Sequence, residues 1–241
     1  MDALEAAVSD AVPGKILGVV TGPVSKESLH LAGWRFPGQT EILAALTHAE
    51  QWAMMLANGK RRVVLATRHI PLRDVSSSIT TEALRALFLL VDRSLSRFLR
   101  RKPRLLVCGI NPHAGDGGLF GDEEKTVIAP AIRSVANEGV RITGPVPGEA
   151  AFMMWGDSAD VVIAMYHDQG AIPVKCLGLH RAVNVTLGLP IVRTSPGHGT
   201  AFPLVGTGRA DPRSFLTAMH WAVAMASCRG RTSDPEGETQ Q

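Results

Sequence analysis

Short apolar runs of four to six residues alternate along the chain with longer segments in which apolar residues recur every three or four positions. Runs of the first kind suit buried strands and segments of the second kind suit helices laid over them. The alternation therefore predicts an α/β fold of βαβ units around a largely parallel sheet. Strands are expected at residues 16–20, 63–66, 105–110, 161–165 and 190–193. The last opens on Pro190, and a proline is tolerated at a first strand position. The strongest helix is expected at residues 81–99, where Leu84, Leu87, Phe88, Val91, Leu95 and Phe98 form one apolar stripe. A second helix is expected over 127–137, ending near Gly139 as a C-cap. A third opens at Asp211-Pro212, a capping residue followed by proline, and continues through Phe215, Met219, Ala222 and Ala226. After Cys228 the text turns polar and glycine-rich, so 1–229 is expected as the folded part and 230–241 as a disordered tail.

A length of 241 residues supports one large α/β domain or two small ones. Hydrophobic residues at 45% and charged residues at 20% are ordinary globular values. The net charge of +3 is spread out and leaves no nucleic-acid footprint. Its densest cluster, Arg97, Arg100, Arg101, Lys102 and Arg104, lies at the end of the 81–99 helix and is expected to be a solvated helix C-terminus. Cys108, Cys176 and Cys228 are too few and too scattered for a disulfide framework, which points to free thiols in a reducing cytoplasm. Cys108 sits in an apolar run and reads as core, not nucleophile. No apolar run approaches the ~18 residues of a membrane span. The acidic start Met1-Asp2-Ala3-Leu4-Glu5 is no secretory signal.

Three of the eight histidines share one setting. His69, His113 and His167 each follow the carboxyl end of an expected strand, the edge at which open parallel sheets bind ligands. Three imidazoles brought to that edge can hold a divalent metal; the alternative is a set of hydrogen-bonded loop histidines. His113 belongs to Asn111-Pro112-His113-Ala114-Gly115-Asp116-Gly117-Gly118, a run too rich in glycine for helix or strand. Asp168, next to His167, can orient an imidazole, ligate a metal or simply cap a turn. Lys175, Asn184 and Arg193 are polar positions in apolar text, suited to gripping an anion unless they are plain surface residues. The segment from Ser195 to Ala201 is expected to be a turn-rich loop offering backbone contacts to a ligand. No Gly-x-Gly-x-x-Gly follows a strand, and there is no P-loop. The residues alone lead to an α/β enzyme with a histidine-rich metal site for an anionic small molecule.

Four ordered motifs narrow this further. They are the run from Asn111 to Gly118, Met165-Tyr166-His167-Asp168-Gln169-Gly170, the run from Val183 to Ser195, and His198-Gly199-Thr200-Ala201. Together, over residues 3–227, the chain resembles the 4-hydroxythreonine-4-phosphate dehydrogenase family of pyridoxal phosphate biosynthesis, a relative of isocitrate and isopropylmalate dehydrogenases. The resemblance implies largely parallel sheets in two lobes with a central cleft, and a homodimer whose active sites are shared across the interface. It implies a divalent metal (Zn, Mg, Co or Mn) on His69, His113 and His167, and substrate contacts at position 39, Thr40, Lys175, Asn184 and Arg193. It also implies NAD (or NADP) at His198, Gly199, Thr200 and Ala201, a dinucleotide loop that is not of the Rossmann kind. The implied reaction is oxidation of a phosphorylated hydroxy acid with loss of carbon dioxide. Lys175 and Asp168 are its candidate catalytic groups, Lys175 as proton donor.

The chain departs from the family pattern at four places. No Gly-Asp-Pro-x-Gly segment precedes Ala3, so early strands of the sheet are expected to be absent. Gln39 stands where the family has a substrate-contacting histidine, and an amide can hydrogen-bond but carries no charge. Pro147-Gly148-Glu149-Ala150 replaces Pro-Ala-Asp-Thr, and the run from Pro203 to Gly208 replaces Asp-Ile-Ala-Gly-Lys-Gly. These changes leave open D-threonate or D-erythronate 4-phosphate, or a dihydrodiol carboxylate, as substrate. A non-catalytic truncated remnant and a metal-dependent hydrolase are the rival classes.

Overall fold

The computed structural model describes residues 1–229. Its strands are β1 (Val19–Val20), β2 (Ala53–Asn58), β3 (Arg61–Leu65), β4 (Leu105–Cys108), β5 (Ile142–Val146), β6 (Val161–Ala164), β7 (Ala182–Leu187) and β8 (Arg193–Pro196). The helices are α1 (Asp2–Ala11), α2 (Lys26–Leu31), α3 (Gln39–Leu46), α4 (Val75–Ser78), α5 (Thr81–Leu99), α6 (Ala129–Ala136), α7 (Gly148–Met153), α8 (His167–Cys176) and α9 (Arg213–Arg229). All eight strands form one sheet in the order β1-β8-β7-β2-β3-β6-β4-β5. The contiguous block β3-β6-β4-β5 is parallel, as is the β1–β8 pair. The pairings β2–β3, β2–β7 and β7–β8 are antiparallel. Parallel pairings are therefore in the majority, and the antiparallel ones are contiguous in the middle of the sheet.

The expected elements survive best where the pattern is longest. α5 spans the expected residues, starts where Thr80 Oγ1 accepts from the Ala83 amide at 3.1 Å, and ends on Arg100 in the left-handed region. The expected strand at 16–20 shrinks to β1, and Leu17 is 77% exposed. The strand expected at 190–193 begins only at Arg193 and continues to Pro196, so Ser195 and Pro196 are strand and not loop. The helix expected over 127–137 is a π-turn (Glu124–Ile128) followed by α6. β2, β5 and β7 are strands that the periodicity did not reveal. β2 and β3 are joined by two residues, with Gly59 at φ +59°, the left-handed backbone that a tight hairpin requires. The tail expected at 230–241 lies outside the described residues.

One sheet face packs Val107, Ile163 and Val185 against Phe88, Leu95, Ile132 and Ala218 of α5, α6 and α9. The other packs Leu65, Val162 and Ala164 against Ala151, Ala171 and Val174 of α7 and α8. α8 approaches closely because residue 170 is glycine: a Cβ there would lie 2.6 Å from Leu65 Cδ2 and 2.7 Å from Val63 Cγ1. A smaller cluster beside β1 joins Val8 of α1 and Leu43 of α3 to Ile191. The basic cluster after α5 is more than a solvated helix end. Arg101 forks onto the buried Asp160 with two bonds of 2.7 Å, and Arg104 adds two more guanidinium contacts, both at 3.3 Å. These bonds hold the Asp160 carboxyl well below its ordinary value. Cys108 is core: burial pushes its thiol up to about 12. The three cysteines are free, and no described helix is long and apolar enough to cross a membrane.

Candidate active site at the carboxyl edge of the sheet

Strand order decides which histidines meet. β3 runs parallel to β6 with Leu65 opposite Ala164, and the pairing continues beyond the strands as the Thr67 amide and hydroxyl both donate to the Met165 carbonyl. His69 and His167 leave these neighbouring ends together, and their ring centroids lie 5.5 Å apart. His167 Nδ1 is 2.6 Å from Asp168 Oδ1, so Asp168 orients an imidazole, the first of its three expected roles. Partial desolvation, then the positive charge of Lys26 and the neighbouring His167 ring, push the His69 pKa down from its ordinary value. The next residue of the motif, Gln169, fastens the start of α8: its oxygen accepts from the Met165 amide at 2.7 Å and its nitrogen donates to Gly109 O at 2.8 Å.

His113 follows β4, which adjoins β6, yet it stands apart from the other two rings. Its nearest ring partner is Phe120, at 6.2 Å between centroids. The reason is local: five consecutive residues, His113 to Gly117, have positive φ, and this left-handed turn sets the direction of the loop. Among the described residues, no group of three or more His, Cys, Asp or Glu side chains is close enough to hold a metal ion.

A second group of expected residues centres on Arg193, which β8 places on the sheet face opposite α9. Only 3% of Arg193 is exposed. It donates to Thr21 Oγ1 at 2.8 Å, Thr40 Oγ1 at 3.2 Å, Thr186 Oγ1 at 3.3 Å and Gln39 Oε1 at 3.4 Å. All four acceptors are neutral, and Arg193 Nε has no partner. Burial lowers its pKa to about 10, opposed only by the charge of Glu41. Register places Asn184 two residues from Thr186 on the same strand face, and its buried amide oxygen is also without a partner. Gln39, Thr40 and Glu41 form the first turn of α3, and Glu41 is felt electrostatically by Arg193, Arg68 and His69. One helix start thus links the arginine to the histidine pair.

Two expected groups lie elsewhere. Lys175 is exposed in the last turn of α8. His198, Thr200 and Ala201 line a cavity of ≈ 600 Å³ with Leu179, Leu204 and Ser214. Sequence reasoning passed over Thr21, Thr186, Lys26, Arg68 and Glu41. Arg68 had a signal, being a charge directly before His69; its guanidinium lies over the Trp52 ring at 3.9 Å. The threonines had none, because their role depends on strand register.

An isocitrate dehydrogenase from Methylococcus capsulatus shares this architecture, with a TM-score of 0.52 at 14% identity over 87% of this chain and 70% of that one. Likeness at that level defines the fold class alone, an α/β fold of the isocitrate dehydrogenase kind. The family follows from closer matches. Residues 1–222 match the model of the pyridoxal phosphate biosynthetic protein PdxA, and the chain belongs to that family. It is 46% identical over 238 residues to a 4-hydroxythreonine-4-phosphate dehydrogenase of Marinobacter nauticus, covering 98% of this chain and 71% of that relative. It is 42% identical over 217 residues to a D-threonate 4-phosphate dehydrogenase of Salmonella typhimurium, covering 90% of this chain and 66% of the relative. The crystal structure of a 4-hydroxythreonine-4-phosphate dehydrogenase from Klebsiella pneumoniae superposes with a TM-score of 0.85 at 42% identity, over 93% of this chain and 69% of that one.

Proposed function

We propose that the protein is a metal-dependent, NAD-linked dehydrogenase that oxidises and decarboxylates a small phosphorylated hydroxy acid such as 4-phosphohydroxy-L-threonine. The observation that carries this reading is Arg193, a desolvated guanidinium with an idle Nε and only neutral partners. Burying a charge in that state is costly and is offset when an anion arrives.

His69 and His167 fit a divalent ion as two imidazole donors. Their rings adjoin, burial favours the uncharged form of His69, and Asp168 occupies His167 Nδ1 so that Nε2 is the free donor. We assign His113 as the third ligand and, since the chain keeps it apart from the pair, a metal site shared between two copies in a homodimer. Imidazole donors suit zinc and its first-row neighbours such as cobalt, whereas manganese and magnesium favour oxygen ligands. When bound, the metal supplies a Lewis acid for the alcohol oxygen, and NAD or NADP supplies the hydride acceptor.

The chain's own residues do the rest. Arg193 and Asn184 bind the acid, and Thr40 holds the guanidinium in place. Lys175, which within one copy stands apart from Arg193, is assigned to the site shared with the partner copy, where its Nζ delivers the proton to the carbon that loses carbon dioxide. The cavity beside His198, Gly199, Thr200 and Ala201 takes the adenosine side of the dinucleotide. We place the protein in the cytoplasm, where free thiols persist.

Gln39 favours a second reading of the substrate. Its oxygen is committed to Arg193 at 3.4 Å, so the amide offers only N–H donors. Donors suit a hydroxyl and repel an ammonium group, which favours D-threonate or D-erythronate 4-phosphate over an amino acid. The test is NADH absorbance across a panel of 4-phosphorylated hydroxy acids with a divalent metal present. Silence on the whole panel, with no calorimetric binding of NAD, would sink the reading in favour of a non-catalytic metal-binding domain.

A further inference from the structure

We infer that Glu124 is a positioning residue that sets the loop carrying His113 and thereby tunes metal affinity. The inference rests on the assignment of His113 as a metal ligand. Glu124 opens the π-turn before α6, is only 5% exposed, and spends its carboxylate on the loop. Oε1 accepts from the Ile110 and Asn111 amides, both at 2.8 Å, and Oε2 accepts from Asn111 Nδ2 at 2.9 Å. Asn111 Nδ2 also donates to Glu123 Oε2 at 2.7 Å, and Ser76 Oγ donates to Glu123 Oε1 at 2.5 Å. The loop's first two residues are thus tied to α6 and α4 just before it turns left-handed.

Glycines on both sides admit this carboxylate. A Cβ on Gly109 would lie 2.9 Å from Glu124 Oε1, and one on Gly115 would lie 2.8 Å from Oε2. Three non-glycine residues in that turn, His113, Ala114 and Asp116, hold positive φ. Each such residue is strained and persists only where surrounding contacts over-determine it. Glu124 fixes the entry to that turn at Ile110 and Asn111, so its loss releases His113 to other directions while the fold remains.

The test compares Glu124→Gln and Gly115→Ala with Val135→Ala, which thins the buried face of α6 away from the loop, and with His113→Ala. In the full chain, Co²⁺ is titrated by calorimetry and by its visible absorption, and unfolding is measured alongside. In Glu124→Gln the amide keeps one acceptor oxygen but turns an N–H2 toward the Asn111 donor. In Gly115→Ala the new methyl must be held at φ +81° against the carboxylate. Both variants are expected to weaken Co²⁺ binding ~10-fold or more and to change the spectrum. Val135→Ala is expected to lower stability without either effect. Unaltered Co²⁺ binding in Glu124→Gln and Gly115→Ala overturns the inference, as does equal weakening in Val135→Ala. Wild-type affinity in His113→Ala, or no Co²⁺ binding by the wild type, removes instead the metal reading on which it rests.

Discussion

Replacing Arg193 by methionine separates binding from stability. The fall of its pKa from 12.5 to about 10 means that the empty site disfavours the charged guanidinium by ~3 kcal/mol relative to water. Methionine removes that cost and fills most of the volume. Against it, Thr21, Thr40, Thr186 and Gln39 each lose a donor, worth about 1 kcal/mol apiece at most, and rotating hydroxyls recover part of this. The opposing terms nearly cancel. Arg193→Met is therefore expected to lie within about 2 kcal/mol of wild type in urea unfolding without ligand, whereas truncating an apolar core side chain costs ~2–5 kcal/mol. With D-threonate 4-phosphate at about 100 times its Kd, the wild type gains ~2.7 kcal/mol and the variant gains far less. A ligand-free loss above ~4 kcal/mol, with ligand stabilisation intact, would show the guanidinium to be structural and refute the argument.

Other expectations follow from the same geometry. Asp160→Asn should cost about 2 kcal/mol near neutral pH, since the Arg101 fork and the Arg104 contacts lose their charge partner. The folded Asp160 carboxyl titrates below its ordinary 3.8, so its contribution is complete above that pH and fades as pH falls below it. Unfolding curves of the two proteins should accordingly converge in acid, and a gap that widens there contradicts the assignment. Gly170→Ala should destabilise by ~1–3 kcal/mol in a thermal melt, because its Cβ meets Leu65, Val63 and Ala164 within 3.0 Å. In the native protein Cys108, buried with its thiol raised to about 12, should resist alkylation while the exposed Cys176 reacts; mass spectrometry of labelled peptides reads the difference.

Strands are legible in this sequence where a run is buried on both faces. β4 and β6 are apolar throughout, and β3 is apolar from Val63 to Leu65, the part that the pattern reveals. β7 hides because Asn184 and Thr186 break its apolar text, although those two residues face the site. β2 hides differently. Its signal was the dipeptide Asn58-Gly59, a strong hairpin marker between apolar runs, and the helix-and-strand alternation drew attention away from it. That hairpin turns the chain back and makes the middle of the sheet antiparallel. β5 carries Gly144 and Pro145 and is half-exposed, so no periodicity marks it.

The site divides along the same line. That three histidines end three strands is a local fact, and β3, β6 and β4 do lie side by side. Which rings meet is not local, because it depends on strand order and on how each chain leaves its strand. β3 and β6 continue in register past their ends, so His69 and His167 stay together. After β4 the chain enters a left-handed turn that Glu124, thirteen residues beyond Asn111, holds in place. Arg193 and Thr40 are 153 residues apart in sequence and bonded in space, a relation that only the tertiary fold creates. Residue type announced an anion site, but only the fold shows that the guanidinium has no anionic partner. On the function proposed above, that missing partner is what distinguishes an anion receptor from a salt-bridged core.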